Sequence, residues 1–258
     1  MISIKTDKEI EVLREGGLIL GGILNDVARK VKPGVTTLEL ETLACLLIKA
    51  ANGRPSFKGY KPSRGSKPFP TALCTSINYE VVHAPAIPSR ILKSGDIVGI
   101  DIGMEYKGLY TDTAVTVGVG VITNEAKKLL KVTNNSLHKS IEVIKPGAKL
   151  SDVSKAIQEH TEMNGYSVVR DFVGHGVGYA VHEDPQVPNF VNKQTRRDDI
   201  ILKKGMVLAI EPMITAGSFE VDVLKDGFSV VTKDKSLAAQ FEHTVAVVDG
   251  GVVIITAR

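Results

Sequence analysis

Four carboxylates and one histidine in this sequence are of types, and at places, that could hold metal ions. Asp101 closes the apolar run Ile97-Val98-Gly99-Ile100, and Glu211 closes Val207-Leu208-Ala209-Ile210. Asp112 sits in Tyr110-Thr111-Asp112-Thr113-Ala114-Val115, and Glu242 heads His243-Thr244-Val245-Ala246-Val247. A carboxylate in such a run is costly to bury unless it is paired or bound to a cation. One alone is more often a strand-end or edge acid. Four facing apolar surroundings repel one another unless cations sit among them. His175, in Val173-Gly174-His175-Gly176-Val177-Gly178, adds one nitrogen to an oxygen-rich set. Its flanking glycines let the backbone bend and another group approach closely. Their spacing fits neither the dinucleotide nor the P-loop signature, which argues against a phosphate site. The set suits two divalent first-row ions bridged by carboxylates more than a structural zinc site. Such ions, ~3.5–4 Å apart, can share a hydroxide and polarise a carbonyl.

Two further histidines are candidates for catalysis. His182 lies in Val181-His182-Glu183-Asp184-Pro185, and His83 in Glu80-Val81-Val82-His83-Ala84-Pro85. Taken alone, each also reads as a structural or surface histidine. His138 and His160 fall on expected helices and are assigned to structure.

These side chains need a scaffold. Thr6-Asp7-Lys8-Glu9 is a capping box, and Ile10, Leu13, Gly17, Leu20, Leu24, Val27 and Val31 then recur every three or four residues, one buried face of a long helix. Lys32-Pro33-Gly34 stops it. Thr36 and Glu39 cap a second helix that ends at Asn52-Gly53. Residues 54–70 are rich in Pro, Gly and Ser without an acid, and read as a long functional loop. Strands are expected at 96–102 and 111–119. Helices follow from Thr123 to Lys145 and from Ser151 to Met163, then β-rich segments at 167–173, 206–213, 227–232 and 242–256.

The chain reads as duplicated. Lys32-Pro33-Gly34, a helix, then Asn52-Gly53 is echoed by Lys145-Pro146-Gly147, a helix, then Asn164-Gly165. Leu92 to Asp101 is echoed, 110 residues later, by Leu202 to Glu211, each a Lys-rich glycine turn entering an apolar strand that ends in an acid. Two half-repeats, about 1–120 and 121–258 in a single catalytic domain, would bring Asp101 and Glu211 towards a shared centre. Chance recurrence of Lys-Gly turns is the alternative.

Bulk properties exclude several classes. The 258 residues are 43% hydrophobic and 24% charged, an ordinary globular mixture, with a net charge of +3 that neither requires nor excludes nucleic acid. Cys45 and Cys74 cannot make a disulfide framework, and reduced thiols in a cytoplasmic protein are the simplest reading. The N-terminus carries Lys5, Asp7, Lys8 and Glu9 where a secretory signal needs an apolar run. No stretch approaches the ~20 apolar residues of a membrane span.

Six segments then resemble, in order and spacing, the type I methionine aminopeptidases: Ile100-Asp101-Ile102-Gly103, Thr111-Asp112-Thr113-Ala114, Gly174-His175-Gly176-Val177-Gly178, His182 to Asn189, Ala209-Ile210-Glu211-Pro212-Met213 and Gln240-Phe241-Glu242-His243-Thr244. The five-ligand pattern belongs to the wider pita-bread metallopeptidases. The string after His182 and the Asn78-to-His83 segment narrow it, and the lack of a long helical insertion or an N-terminal zinc extension suggests the short bacterial form. The resemblance implies an α+β pita-bread fold, with two pseudo-twofold-related halves and a curved antiparallel sheet covered by helices. It implies removal of the initiator methionine from nascent polypeptide N-termini when the next residue is small, by metal-activated hydroxide attack on the first peptide bond. Asp101 would bind one ion through both oxygens. Asp112 and Glu242 would bridge, and His175 and Glu211 would complete the second site. The two divalent ions are drawn from Co, Mn, Fe, Ni or Zn. Glu211 would shuttle a proton, His182 stabilise the oxyanion, and His83 contact the scissile amide and aid the leaving group. Tyr60, Phe69, Cys74 and Phe228 would line the methionine pocket, with core packing the alternative for the two phenylalanines. A monomer in the cytoplasm is expected.

Three departures from the family pattern stand out. Lys61 to Pro68 are inserted between Tyr60 and Phe69. Ala84-Pro85-Ala86-Ile87-Pro88 follows His83 where Gly-Ile-Pro is usual. Phe228 stands at a usual tryptophan position. The insert region carries Lys58, Lys61, Arg64 and Lys67, which suits a ribosomal RNA contact or simply a solvated loop. A proline-directed peptidase of the same fold would usually carry an extra N-terminal domain, for which there is no room. A metal-free binding relative would have lost ligands. Ile2 is large, so this protein is expected to keep Met1.

Overall fold

The computed structural model describes residues 1–61, 63, 65–191 and 199–257, so Arg64 and Pro62 of the insert region lie outside the described residues. Helix α1 (Asp7–Lys30) starts where Thr6 accepts the Glu9 N–H while the Glu9 carboxylate accepts the Thr6 N–H. Reciprocal satisfaction of orphan donors explains why it starts there. Thr36 and Glu39 repeat the device for α2 (Thr37–Ala50). Strands β1 (Arg54–Pro55), β2 (Leu73–Ile77) and β3 (Glu80–Val82) precede a long hairpin, β4 (Ile97–Tyr106) and β5 (Leu109–Gly118). The hairpin outruns the strands expected at 96–102 and 111–119. Lys107 and Gly108 both take positive φ, 52° and 84°, and form a tight turn whose twist suits paired strands.

Helix α3 (Asn124–Glu142) stops short of the expected Lys145, because Pro146 disfavours helix at the residues before it. Helix α4 (Leu150–Met163) follows. Only β6 (Ser167–Val168) forms within 167–173, ahead of β7 (Gly174–Gly176) and β8 (Glu183–Val187). The segment 206–213 divides at Pro212, which has no N–H for a ladder, into β9 (Val207–Ile210) and the start of β10 (Met213–Thr215). Then come β11 (Val221–Val223), β12 (Val230–Thr232), β13 (Ala238–Gln240), β14 (Glu242–Val248) and β15 (Gly251–Ile254). No strand is expected at β1, which falls in the 54–70 loop, nor at β2, β3, β7, β8, β11 or β13, all short and without clean alternation.

Every named strand pair is antiparallel. The main sheet runs β1-β4-β5-β14-β9-β7-β8, with β2 also on β4 and β15 on β14. Alternation divides its side chains by face. Val98, Ile100 and Ile102 of β4, Leu208 and Ile210 of β9, and Val245 and Val247 of β14 share one core with Leu20, Leu24, Leu40 and Ile48 of the first helix pair and Leu137, Ile141, Val153 and Ile157 of the second. The helices therefore cover one face.

The register places the remaining side chains on the other face. Cys74 pairs Asp101, Asp101 pairs Ala114, and Ala114 pairs Glu242, one row across four strands. Asp112, opposite Gly103, is the diagonal neighbour of Asp101. His175 pairs Ala209, and Glu211 is two residues beyond Ala209, hence on the same face. All five candidate ligands thus share one face.

The two halves use the same bonds at their seams. The Gly34 N–H donates to Leu92 O (2.8 Å) and the Gly147 N–H to Leu202 O (2.9 Å). Gly95 bonds to Val119 O (3.0 Å) as Gly205 bonds to Val247 O (2.9 Å). Among the described residues, no helix is long and apolar enough to cross a membrane.

Candidate active site

One cavity of about 430 Å³ is lined by Asp101, Asp112, His175, Glu211 and Glu242 together with Tyr60, Phe69, Cys74, His83, His182 and Phe228. The site side chains named from the sequence are therefore all in one place.

Its floor is buried. Asp101, Asp112 and Glu242 are 6%, 4% and 2% exposed, and His175 and Glu211 both 8%. Donor atoms of Asp112, His175 and Glu242 lie within 4.8 Å of one another. Burial pushes the Asp101 carboxyl up to about 7. It pushes Asp112 well above the carboxylate range, with the charges of Asp101 and Glu211 adding to it. Glu211 is raised by burial and then by Asp101. Acids crowded without counter-charge resist ionising together.

The donor set fits divalent cations. One oxygen each of Asp101 and Asp112 is buried without a hydrogen-bond partner. Gly176 O accepts from Nδ1 of His175 (2.9 Å), and since a carbonyl only accepts, the proton is on Nδ1. The Nε2 lone pair is left 3.6 Å from Glu211 Oε1, beyond hydrogen-bond reach. This is how a metal-ligating imidazole is oriented. Burial lowers His175 to about 3, so the ring is neutral and its lone pair free.

Surrounding bonds fix these groups. Gln240 Nε2 donates to Glu211 Oε2 (3.1 Å), and Asn189 Nδ2 to Glu211 O (3.0 Å). Asp112 N donates to Thr244 Oγ1 (2.9 Å), which donates back to Asp112 O (2.7 Å). The glycines beside His175 are required by close approach. A Cβ on Gly174 would strike Ala209 O, and one on Gly176 would strike Asp184 O.

The rim carries the other histidines. His182 lies edge-on to His175, with ring centroids 4.4 Å apart, at the open mouth of the cavity, and its Nδ1 is 2.7 Å from Tyr60 Oη. His83 packs against Phe172 at 5.6 Å in a left-handed backbone conformation, φ 60°. A non-glycine residue there is strained, and such residues concentrate at functional sites. Burial lowers His83 to about 4. Phe69 meets Phe228 edge to face at 5.4 Å, in an apolar cluster with Cys74 and Phe57. Burial, then the charges of Asp101, Asp112 and Glu242, hold the Cys74 thiol protonated, a wall and not a nucleophile.

Several lining or supporting residues escaped the sequence reading: Phe57, Phe172, Val223, Val230, Gln240 and Asn189. Phe172 had a signal, an aromatic three residues before His175. Val223 and Val230 had none, because only the β11–β12 pairing brings them to the cavity.

Fold and donor set define a metallopeptidase. Residues 11–249 match the profile of Metallopeptidase family M24. A methionine aminopeptidase of Clostridium acetobutylicum is 46% identical over 256 residues, covering 99% of this chain and 99% of its own. The crystal structure of methionine aminopeptidase from Thermotoga maritima superposes with a TM-score of 0.93 at 44% identity, with 100% of both chains covered. An X-Pro aminopeptidase from the same organism shares the fold alone, with a TM-score of 0.75, 17% identity, and coverage of 99% of this chain and 62% of its own. The chain belongs to metallopeptidase family M24 and, within it, to the methionine aminopeptidases.

Proposed function

We infer that this enzyme removes the initiator methionine from proteins whose second residue is small, by hydrolysing the first peptide bond. The observation that carries the reading is the single sheet face on which Asp101, Asp112, His175, Glu211 and Glu242 border a pocket of aromatics and a thiol. Those five side chains would hold two divalent ions, drawn from Co, Mn, Fe, Ni or Zn. When bound, the ions supply Lewis-acid polarisation of the scissile carbonyl and make water nucleophilic at neutral pH.

The chain's own groups do the rest. Glu211 takes a proton from the attacking water and delivers it to the departing amine. His182, neutral because burial lowers it, donates a hydrogen bond to the oxyanion as charge develops there. His83, also neutral, contacts the scissile amide and aids its departure. The substrate's free α-amine sits beside Asp101, which limits cleavage to one residue. Tyr60, Phe69, Cys74 and Phe228 receive the methionine side chain, whose thioether packs well on aromatic rings. The matching seam bonds support two half-repeats, about 1–120 and 121–258, in a single catalytic domain.

Turnover of Met-Ala-Ser, abolished by a chelator and restored by one of these metals, is the expected result. Preference for Xaa-Pro peptides would contradict it. A cytoplasmic monomer acting beside the ribosome completes the reading. Lys58, Lys61 and Lys67 are exposed, as an RNA contact requires. Ribosome co-sedimentation unchanged after charge reversal of the four basic residues, Arg64 included, would remove the RNA contact.

A further inference from the structure

The insert between Tyr60 and Phe69 is tied at its base. The Gly59 N–H donates to Phe69 O (2.8 Å), the Phe69 N–H to Tyr60 O (2.9 Å), and the Tyr60 N–H to Phe57 O (2.9 Å). This tie sends the two aromatics to different partners. Phe69 goes to Phe228, while the Tyr60 ring lies edge-on to His182, with centroids 4.9 Å apart and planes at 62°. The phenolic oxygen is 2.7 Å from His182 Nδ1. On the other side, His182 rests against His175 at 4.4 Å, so the imidazole is held between two rings.

A phenol, with an ordinary pKa near ~10, is a stronger acid than a neutral imidazole N–H, and the unprotonated imidazole nitrogen is the stronger base. The hydrogen bond therefore runs from Tyr60 Oη to Nδ1. A neutral imidazole carries one proton, so it donates through one nitrogen only. Untethered, such a ring exists as two tautomers, and one of them turns a lone pair towards the cavity.

We propose that Tyr60 is a positioning residue for catalysis, whose phenol fixes His182 as the Nε2–H tautomer and so presents a donor to the reacting carbonyl. This rests on the reading that His182 stabilises the oxyanion. It gives Tyr60, beside its place in the wall of the methionine pocket, a second part as the support of a catalytic side chain.

Tyr60→Phe keeps the ring and removes the hydroxyl. With the metal-loaded enzyme and Met-Ala-Ser, kcat should fall about tenfold, the scale of one hydrogen bond, with KM within about twofold. In protein labelled with ¹⁵N-histidine, long-range ¹H–¹⁵N correlation should show His182 as Nε2–H in the parent and as a tautomer mixture in Tyr60→Phe. In a His182→Ala background, Tyr60→Phe should have no further effect, because its path runs through the missing ring. A rise in KM alone, an unchanged tautomer, or an undiminished Tyr60→Phe effect without His182 would overturn the proposal. Full kcat in His182→Ala would instead sink the oxyanion assignment beneath it, while the tautomer spectrum still reports on the bond itself.

Discussion

Across the floor of the cavity, Asp101, Asp112 and Glu242 stand on strands paired into one sheet, whereas along the rim Tyr60, His83 and Phe228 stand on loops. The floor's register is set by backbone ladders that run the length of β4 and β5. The rim is set by side-chain bonds: Tyr60 to His182, and Asp226 to the Phe228 and Ser229 N–H groups. A slip of one residue on a floor strand would turn its carboxylate into the helix-side core. A change at the rim moves one side chain by a fraction of that. The difference teaches where metal geometry and where substrate fit are encoded.

Removing a floor carboxylate should break the site outright. Asp112→Asn is expected to lower metal content and cut Met-Ala-Ser turnover on the order of 10³-fold or more, since the ions contribute several kcal/mol to the transition state. The chelated protein should not lose stability, because the substitution relieves the crowding that raises Asp112. Metal analysis and thermal unfolding without metal measure both. A variant with full metal and activity within tenfold would erase the contrast between floor and rim.

At the rim, His182→Ala should cut kcat about 10²-fold, as loss of one oxyanion donor does, while metal content stays at the parent level. Loss of metal in this variant would mean that the rim also carries the ions.

Reading this molecule from its sequence succeeded where chemistry and period coincide. Asp101 and Glu211 were legible because each interrupts an apolar strand at the same place in a repeated segment. His175 was legible through its two glycines, which the structure explains by the backbones of β8 and β9 pressing on either side. The helices were legible from Thr6-Glu9 and Thr36-Glu39 because a capping box is a local device. What stayed hidden is set by long-range contact. Tyr60 reads as one aromatic in a loop, and only folding brings it to His182, 122 residues away. Gln240 stands two residues before Glu242, but its bond to Glu211 depends on the break between β13 and β14.

The methionine pocket should respond more gently than either histidine or acid. Phe228→Ala removes one edge-to-face partner of Phe69. KM for Met-Ala-Ser should rise about tenfold, a fraction of the burial of a phenylalanine, with kcat kept within about twofold. An unchanged KM would assign Phe228 to packing and not to the substrate.

The smallest effect belongs beneath the rim, where the N-terminal segment holds the chain before His182. Glu183 accepts from Lys5 Nζ (2.7 Å), from Ser3 Oγ, and from the Tyr179 and Ala180 N–H groups. Burial alone would push its carboxyl up, but Lys5, Ser3 and the Ala180 N–H outweigh it and the group titrates below its ordinary 4.5. Burial also pulls the Lys5 ammonium below its own ordinary value, against the effect of pairing, so the pair's net worth is small. A carboxyl depressed by folding adds stability above its unfolded pKa and gives it up as pH falls through the folded one. The melting temperature of the parent should therefore exceed that of Glu183→Gln by about 2 °C near neutral pH, with the two curves converging as pH falls below the ordinary 4.5. Because the same carboxylate sets the turn carrying His182, kcat should fall with it while metal content does not. Parallel melting curves down to pH 3 would show that Glu183 is held by shape alone, and that the rim needs no charge beneath it.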